Sequence, residues 1–293
     1  MKNSIYLFCL IAIGFASCSK DSGGDSSTPV DPNPITPTVP TTFTQKVVME
    51  IFTGAGQPQC PDGFVKIDAI VNANPTKIIP VNVHFSDGME IPQYTTLETN
   101  FCSGQPVTYP SAMVNRTASL SMVFLNRTQW QSNSDVARVK TAKCGLSMSS
   151  TISGTTATVT VNAGFNEALT GNYSVTVYLI ENAVNGTGNL YDQRNAYNTT
   201  SGHTYYGLGD PIIGFHHDNV LRKVLSAAMG DAIPSASIVA GGKETKTYSV
   251  NLTGFNSDEC YIVAMINKVG GTPTTSEVLN AQKAKLGTTQ NWD

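Results

Sequence analysis

The sequence predicts an α/β unit with a partly parallel sheet over residues 43–143, followed by an all-β unit, an antiparallel sandwich, over residues 144–268. Three observations carry this reading. Between residues 46 and 85, two apolar and β-branched runs flank a segment whose apolar side chains recur at helical spacing. From Cys144 the pattern changes to period two, the signature of strands with one buried face. Apolar runs after the first seventeen residues are all shorter than the roughly 20 residues a membrane-crossing helix needs.

In the first unit, Lys46 to Phe52 alternates and reads as a strand. It runs into a turn-rich stretch ending in Cys60-Pro61, and proline suits the first turn of a helix. Phe64, Ile67, Ile70 and Val71 mark the buried face of that helix, which ends before Pro75. Ile78 to Phe85 is a second, largely apolar strand, and the stretch to Phe101 is weakly helical or irregular. Val107 to Val114 leads into a third strand, and Leu125 to Ala142 contains a closing helix. Two strands joined by a crossover helix form a βαβ unit.

In the second unit, Thr151 to Asn162 reads as a hairpin, and Tyr173–Ile180, Lys246–Leu252 and Tyr261–Asn267 read as strands. Residues 181–211, rich in Asn, Gly and Tyr, are too polar to form a core, and residues 269–293 read as a tail. His216, His217, Asp218 and Arg222 form a polar cluster beside the apolar pair Val220-Leu221. Neighbouring residues on a strand point to opposite faces, so the two histidines are expected to serve packing, and no metal or other cofactor is expected.

The start of the chain carries an export signal. Lys2 precedes twelve apolar or small residues, Ile5 to Ala16, the length of a signal peptide core. Phe15-Ala16-Ser17-Cys18 resembles a bacterial lipobox, which implies a signal peptide over 1–17 and lipidation of Cys18. Residues 18–42 hold five prolines among Ser, Thr, Gly and Asp, the composition of an extended tether reaching on the order of 70 Å. Ser19-Lys20-Asp21 is similar to the export signals of surface lipoproteins. The expected location is therefore the outer membrane, lipid-anchored and facing the cell surface, with the periplasmic face as the alternative.

Charged residues are 13% of the chain and the net charge is −3, so no basic patch invites nucleic acid. Once Cys9 leaves with the signal and Cys18 is lipidated, Cys60, Cys102, Cys144 and Cys260 remain. In an oxidising compartment these allow up to two disulfides, in three complete pairings. A bond between Cys144 and Cys260 would join the first and last strands of the second unit.

Strand, Thr-Gly, a Cys-Pro helix start and a later Tyr-Pro-Ser are together similar to the thioredoxin-like fold. More narrowly, Glu50 to Gly54, Cys60 to Gly63, Tyr109 to Arg116 and the Phe215-His216 element resemble the Bacteroidetes outer-membrane lipoproteins of the Omp28-related type. The resemblance implies a thioredoxin-like domain followed by an Ig-like β-sandwich. It also implies a cis-proline at Pro110 facing the cysteine loop. Members often carry Cys-x-x-Cys at the helix start, where the helix N-terminus lowers a thiol's pKa. Here the first position of that pair is Gln57, which leaves Cys60 in the second. By the same resemblance Cys102 lies near the helix start, within reach of Cys60 as a structural staple or a displaced redox pair. Cys60 left unpaired is the third reading.

No Gly-x-Ser-x-Gly, Walker or His-Glu-x-x-His motif is present. The expected function is a non-catalytic binding or adhesion scaffold, not an enzyme. Its expected partners are the membrane, through Cys18, and a protein or glycan ligand. Tyr191, Tyr197, Tyr205 and Tyr206 would suit a binding surface or, equally, stacking within the domain. The alternative is a thiol–disulfide oxidoreductase using Cys60 with Cys102.

Overall fold

In the computed structural model, which describes residues 38–292, the apolar run Val47–Thr53 forms strand β1. Helix α1 (Cys60–Ala73) crosses over to β2 (Ile78–His84), which pairs parallel to β1 from Val47↔Ile78 to Thr53↔His84. Helix α2 (Tyr94–Phe101) leads to β3 (Ser111–Val114), antiparallel to β1, then to the two-residue β4 (Leu125–Asn126) and helix α3 (Trp130–Ala137). The signal peptide, the lipidation expected at Cys18 and the tether up to residue 37 lie outside the described residues. The end of the expected tether is packed: Val39 is buried and abuts Gly164, where a Cβ would meet it at 2.8 Å.

The rest of the chain is strand-rich. It runs through β5 (Cys144–Ser153), β6 (Thr156–Phe165), β7 (Asn172–Glu181), β8 (Val220–Val224), β9 (Asp231–Ile233) and β10 (Lys243–Asn251). It ends with β11 (Cys260–Val269), β12 (Glu277–Lys285) and β13 (Thr289–Gln290). The region expected as a tail thus supplies two strands.

The strands form two sheets. A mixed sheet runs β12-β11-β7-β8-β2-β1-β3-β4, with β9 beside β7, and an antiparallel sheet runs β10-β6-β5-β13. The mixed sheet draws strands from both regions read in the sequence, so no break between sheets falls at residue 143. Its joint is narrow. One ladder pair, Asn82↔Val220, links β2 to β8, and Asn82 reinforces it by donating from its side chain to the Asp218 carbonyl at 2.7 Å.

The sheet also curls until β12 meets the start of β1. Val278 donates its backbone N–H to the Asn115 carbonyl at 2.7 Å, and Asn280 Oδ1 accepts from Lys46 N at 2.9 Å. The Asn280 amide donates to the carbonyls of Thr44 and Cys144, so one buried side chain ties three segments together. A buried amide with its bonds made avoids the desolvation cost that an unmade one carries.

Both faces of β1 are buried, which explains its near-continuous apolar sequence. Val47, Met49 and Ile51 pack with Ile67 and Ile70 of α1 and Trp130 of α3. Val48 and Phe52 face the second core, inside the curl, with Leu97, Phe101, Tyr178 and Met265. A third core lies between the antiparallel sheet and the other face of β7 and β11, where Val159 and Val161 meet Val177, Leu179 and Ile262. At about 25 cal/mol per Å2 of apolar surface, these three cores supply the main stabilisation of the fold.

Candidate functional site

Because β1 and β2 are parallel, the loops that follow them emerge at the same end of the sheet, where α1 also begins. The loops meet closely: a Cβ on Gly54 would lie 2.6 Å from the Phe85 carbonyl oxygen. Asp87 clamps them. Its carboxylate accepts from the backbone N–H groups of Ala55 and Met89 at 2.7 and 2.8 Å, and from His84 Nδ1 at 2.7 Å. Burial pushes the Asp87 carboxyl upward, but the His84 bond and the two backbone donors outweigh it and hold the group below its usual range.

Cys60 opens α1 and is fully buried. A helix N-terminus favours a thiolate, yet here burial wins and pushes the thiol up to about 11, against a smaller pull from Thr53, Gly54 and Arg127. The Tyr109–Pro110 bond is cis, and Pro110 sits on the first turn of α1, where a Cβ on Gly63 would lie 2.7 Å from the proline Cγ. Gln57 occupies a tight turn, its N–H donating to Gly54 O and its carbonyl accepting from Cys60 N.

Residues 182–219 cover this turn. Arg194 N donates to Ala55 O and Ala196 N to Pro58 O, both at 2.8 Å, and Gln193 Nε2 donates to Gln57 O at 3.1 Å. Tyr197 donates its hydroxyl to Gln59 Oε1 at 2.7 Å and accepts from Arg127, which also pairs with Asp62 at 2.5 Å. The insert has no sizeable core. Paired backbone bonds between Val184 and His217 and between Gln193 and Ile212 close it. The buried Asn195 side chain binds the Tyr205 and Gly209 carbonyls within it. Of the four tyrosines for which a binding surface and stacking within the domain were both expected readings, three are engaged inward: Tyr191 against Gly88 and Gly186, Tyr197 as above and Tyr205 beside Phe215. Tyr206 is exposed, with Leu190, Leu208 and Ile213.

The expected polar cluster is dispersed. His216 faces outward and bonds Asn185, Asp218 accepts from Ala183 N, and Arg222 pairs with Glu181 at 3.1 Å. His217 is buried, donates Nε2–H to the Tyr191 carbonyl at 2.8 Å, and meets the His84 ring edge-on at 5.1 Å. Burial, then the neighbouring His84, pull its pKa down to about 4. Among the described residues, no group of three or more His, Cys, Asp or Glu side chains is arranged to hold a metal ion.

Among the described residues, Cys60, Cys102, Cys144 and Cys260 are free thiols, so neither the Cys60–Cys102 nor the Cys144–Cys260 bond is formed. Cys102 caps α2 at the rim of the second core and is half-buried, whereas Cys60, Cys144 and Cys260 are enclosed. Burial raises the Cys144 and Cys260 thiols as well, Cys260 to about 12. The sequence reading missed the His84–Asp87 clamp and the role of Gln193. Nothing local in the sequence marks His84 as the partner of Asp87.

Two solved structures share this architecture. HBP35 of Porphyromonas gingivalis superposes with a TM-score of 0.66 at 19% identity, covering 84% of this chain and 76% of its own. Protein AGR_C_4864 from Agrobacterium tumefaciens superposes with a TM-score of 0.51 at 12% identity, covering 83% and 95%. At such identities the likeness speaks to the fold alone. No curated protein matches the sequence. The model of the family described as outer membrane protein Omp28 matches residues 103–290, more than half of the chain and a span that includes Pro110, Arg116 and the whole insert, and the chain therefore belongs to that family of outer membrane proteins.

Proposed function

We propose that this outer membrane protein is a non-catalytic, lipid-anchored binding or adhesion scaffold. The observation that carries the reading is the cover over the Gln57–Cys60 turn. The first thiol position holds glutamine, the remaining thiol is buried and raised, and hydrogen bonds from residues 193–196 to the carbonyls of Ala55, Gln57 and Pro58 occupy the backbone that an exchanging disulfide would approach. Nucleophilic attack needs an accessible thiolate, and neither condition is met at Cys60.

On this reading the segment from β1 to α3 is a thioredoxin-like unit, supported by the β2-β1-β3-β4 order and the cis Tyr109–Pro110 bond. The strands from β5 onward form the Ig-like partner. The anchor is Cys18, supported by its lipobox, and the molecule faces the cell surface. The outer rim of the insert, with Tyr206, Leu208 and Ile213 exposed, supplies the contact face for a protein or glycan ligand.

An insulin-reduction assay tests the reading. The protein is expected to be inert. Turnover that disappears in Cys60→Ser would overturn the scaffold reading in favour of an oxidoreductase.

A further inference from the structure

We propose that the cavity at the start of β3, between residues 101–108 and 121–124, binds a small neutral aromatic molecule carrying one hydrogen-bonding group. The cavity measures about 230 Å3. Buried Phe101, Val123 and Phe124 supply apolar wall, and Pro106 and Met122 flank it nearer the surface. An apolar cavity of about 150 Å3 holds one benzene ring, so this one takes a substituted ring or a bicycle of about ten heavy atoms. Its described lining contains no Asp, Glu, Lys, Arg or His. An ion entering it would lose hydration and find no counter-charge, which selects a neutral ligand.

The buried polar anchor is Ser111; the other polar lining residues, Ser103, Gln105, Thr108, Ser121, Asn126 and Gln129, are exposed or half-exposed. Ser111 lines the cavity, is 2% exposed, and its buried Oγ has no hydrogen-bond partner within the protein. Buried hydroxyls are nearly always partnered, and pockets of this kind orient their ligands with a few polar groups set in apolar walls. One side of the cavity is a turn closed by paired backbone bonds between Ser119 and Met122. Leu120 and Ser121 at its tip hold φ of 51° and 65°, left-handed values uncommon for such side chains, and Met122 is half exposed beside the cavity. The site uses no residue of the insert and no thiol chemistry, so it stands apart from the scaffold reading.

The test titrates p-cresol, toluene and 4-methylbenzoate into the full-length chain. Binding is read from the Met122 methyl resonance and from the rate at which N-ethylmaleimide alkylates Cys102, which lines the same cavity. Saturable p-cresol binding is expected with a Kd below about 1 mM, as eight heavy atoms allow, together with slower Cys102 alkylation. Toluene should bind about tenfold more weakly and the carboxylate not measurably. Ser111→Ala should bring p-cresol down to the toluene level and leave toluene unchanged, while Thr108→Trp at the exposed rim should abolish both. The proposal is overturned if p-cresol gives no saturable shift below about 10 mM, if the carboxylate binds as well, or if Thr108→Trp leaves the protection of Cys102 intact.

Discussion

Arg116 grips Glu50 with two parallel hydrogen bonds, Nε to Oε2 at 2.7 Å and Nη2 to Oε1 at 2.8 Å, in the middle of the second core. Both side chains are essentially excluded from solvent. Tyr178 of β7 closes the group, accepting from Arg116 and donating to Glu50, and the guanidinium lies over the Phe101 ring at 4.9 Å. Burial opposes the charge on Arg116, but Glu50 and Tyr178 outweigh it and hold the group firmly protonated. These bonds join β1 to β7, strands from the two regions of the chain, at a depth where a one-sided loss is expensive. Glu50→Gln or Arg116→Met should each cost about 3–5 kcal/mol in urea unfolding. The triple change Glu50→Leu, Arg116→Met, Tyr178→Phe should recover most of that, because no unpaired polar group is left. A triple variant as weak as the singles would show that the pair itself, not its desolvation, holds the core.

His217 makes the docked insert acid-sensitive. Its folded pKa, depressed to about 4, lies below the unfolded value of 6.5, so the unfolded chain binds the proton more tightly in this window. The stability it contributes is complete above about pH 6.5 and is lost as pH falls towards 4, a difference on the order of 3 kcal/mol. His84, Asp87 and His216 are the titratable groups that act on it. Lowering the pH from 7 to 4.5 should speed amide exchange in residues 184–217 ahead of β1 and β7. His217→Gln, which keeps a donor for the Tyr191 carbonyl, should flatten that dependence while leaving the acid response of the rest of the fold in place.

Residues 47–84 were legible because each core element carries its own local signature: β1 and β2 as apolar runs, α1 as a periodic face behind Cys60-Pro61. The long strands β6, β7, β10 and β11 alternate and were found to within a few residues, whereas the hairpin read from Thr151 caught only the last three residues of β5. β12 was missed for a physical reason. Its buried positions include Asn280 and Gln282, polar side chains that earn their place through bonds to distant backbone and side chains, so the apolar alternation is broken. The insert was legible as polar but not as a cover. Its order comes from Asn195, Asp210 and Gln193 binding carbonyls, amides and Arg194, contacts that no periodicity records.

Asn280 accordingly carries a testable load. Asn280→Leu is close in size but strands the carbonyls of Thr44 and Cys144 and the N–H of Lys46. Each unmade buried bond costs about 1–3 kcal/mol, so thermal unfolding should show a loss of at least about 3 kcal/mol. A loss below about 1 kcal/mol would mean that water reaches these groups and that the sheet does not close there.

Gly63 occupies a helix interior where alanine would ordinarily add about 1 kcal/mol of stability. Here the added Cβ would press on Pro110 at 2.7 Å and approach Trp130 at 3.3 Å. Gly63→Ala should therefore destabilise, by about 1–3 kcal/mol, because two ring side chains packed in a core must shift. Gly56→Ala, where nothing lies within 4 Å of a new Cβ, is the matched control and should be near neutral.

The four thiols give the sharpest readout of the covered turn. At pH 8 a Cys60 thiol raised to about 11 is ionised in roughly one molecule in a thousand, and it is buried as well. Cys102, half-buried at the end of α2, should react with a maleimide in the native protein, whereas Cys60, Cys144 and Cys260 should wait for urea. Gln57→Cys then asks what the insert does. The new thiol sits in a half-buried turn whose carbonyl is held by Gln193. With the insert in place it should label slowly, and Gln193→Ala, which releases that carbonyl, should speed labelling about tenfold without a comparable change at Cys102. Rapid labelling of Gln57→Cys in an otherwise unaltered chain would mean that the turn is open, and the case for a scaffold in which the insert seals it would fail.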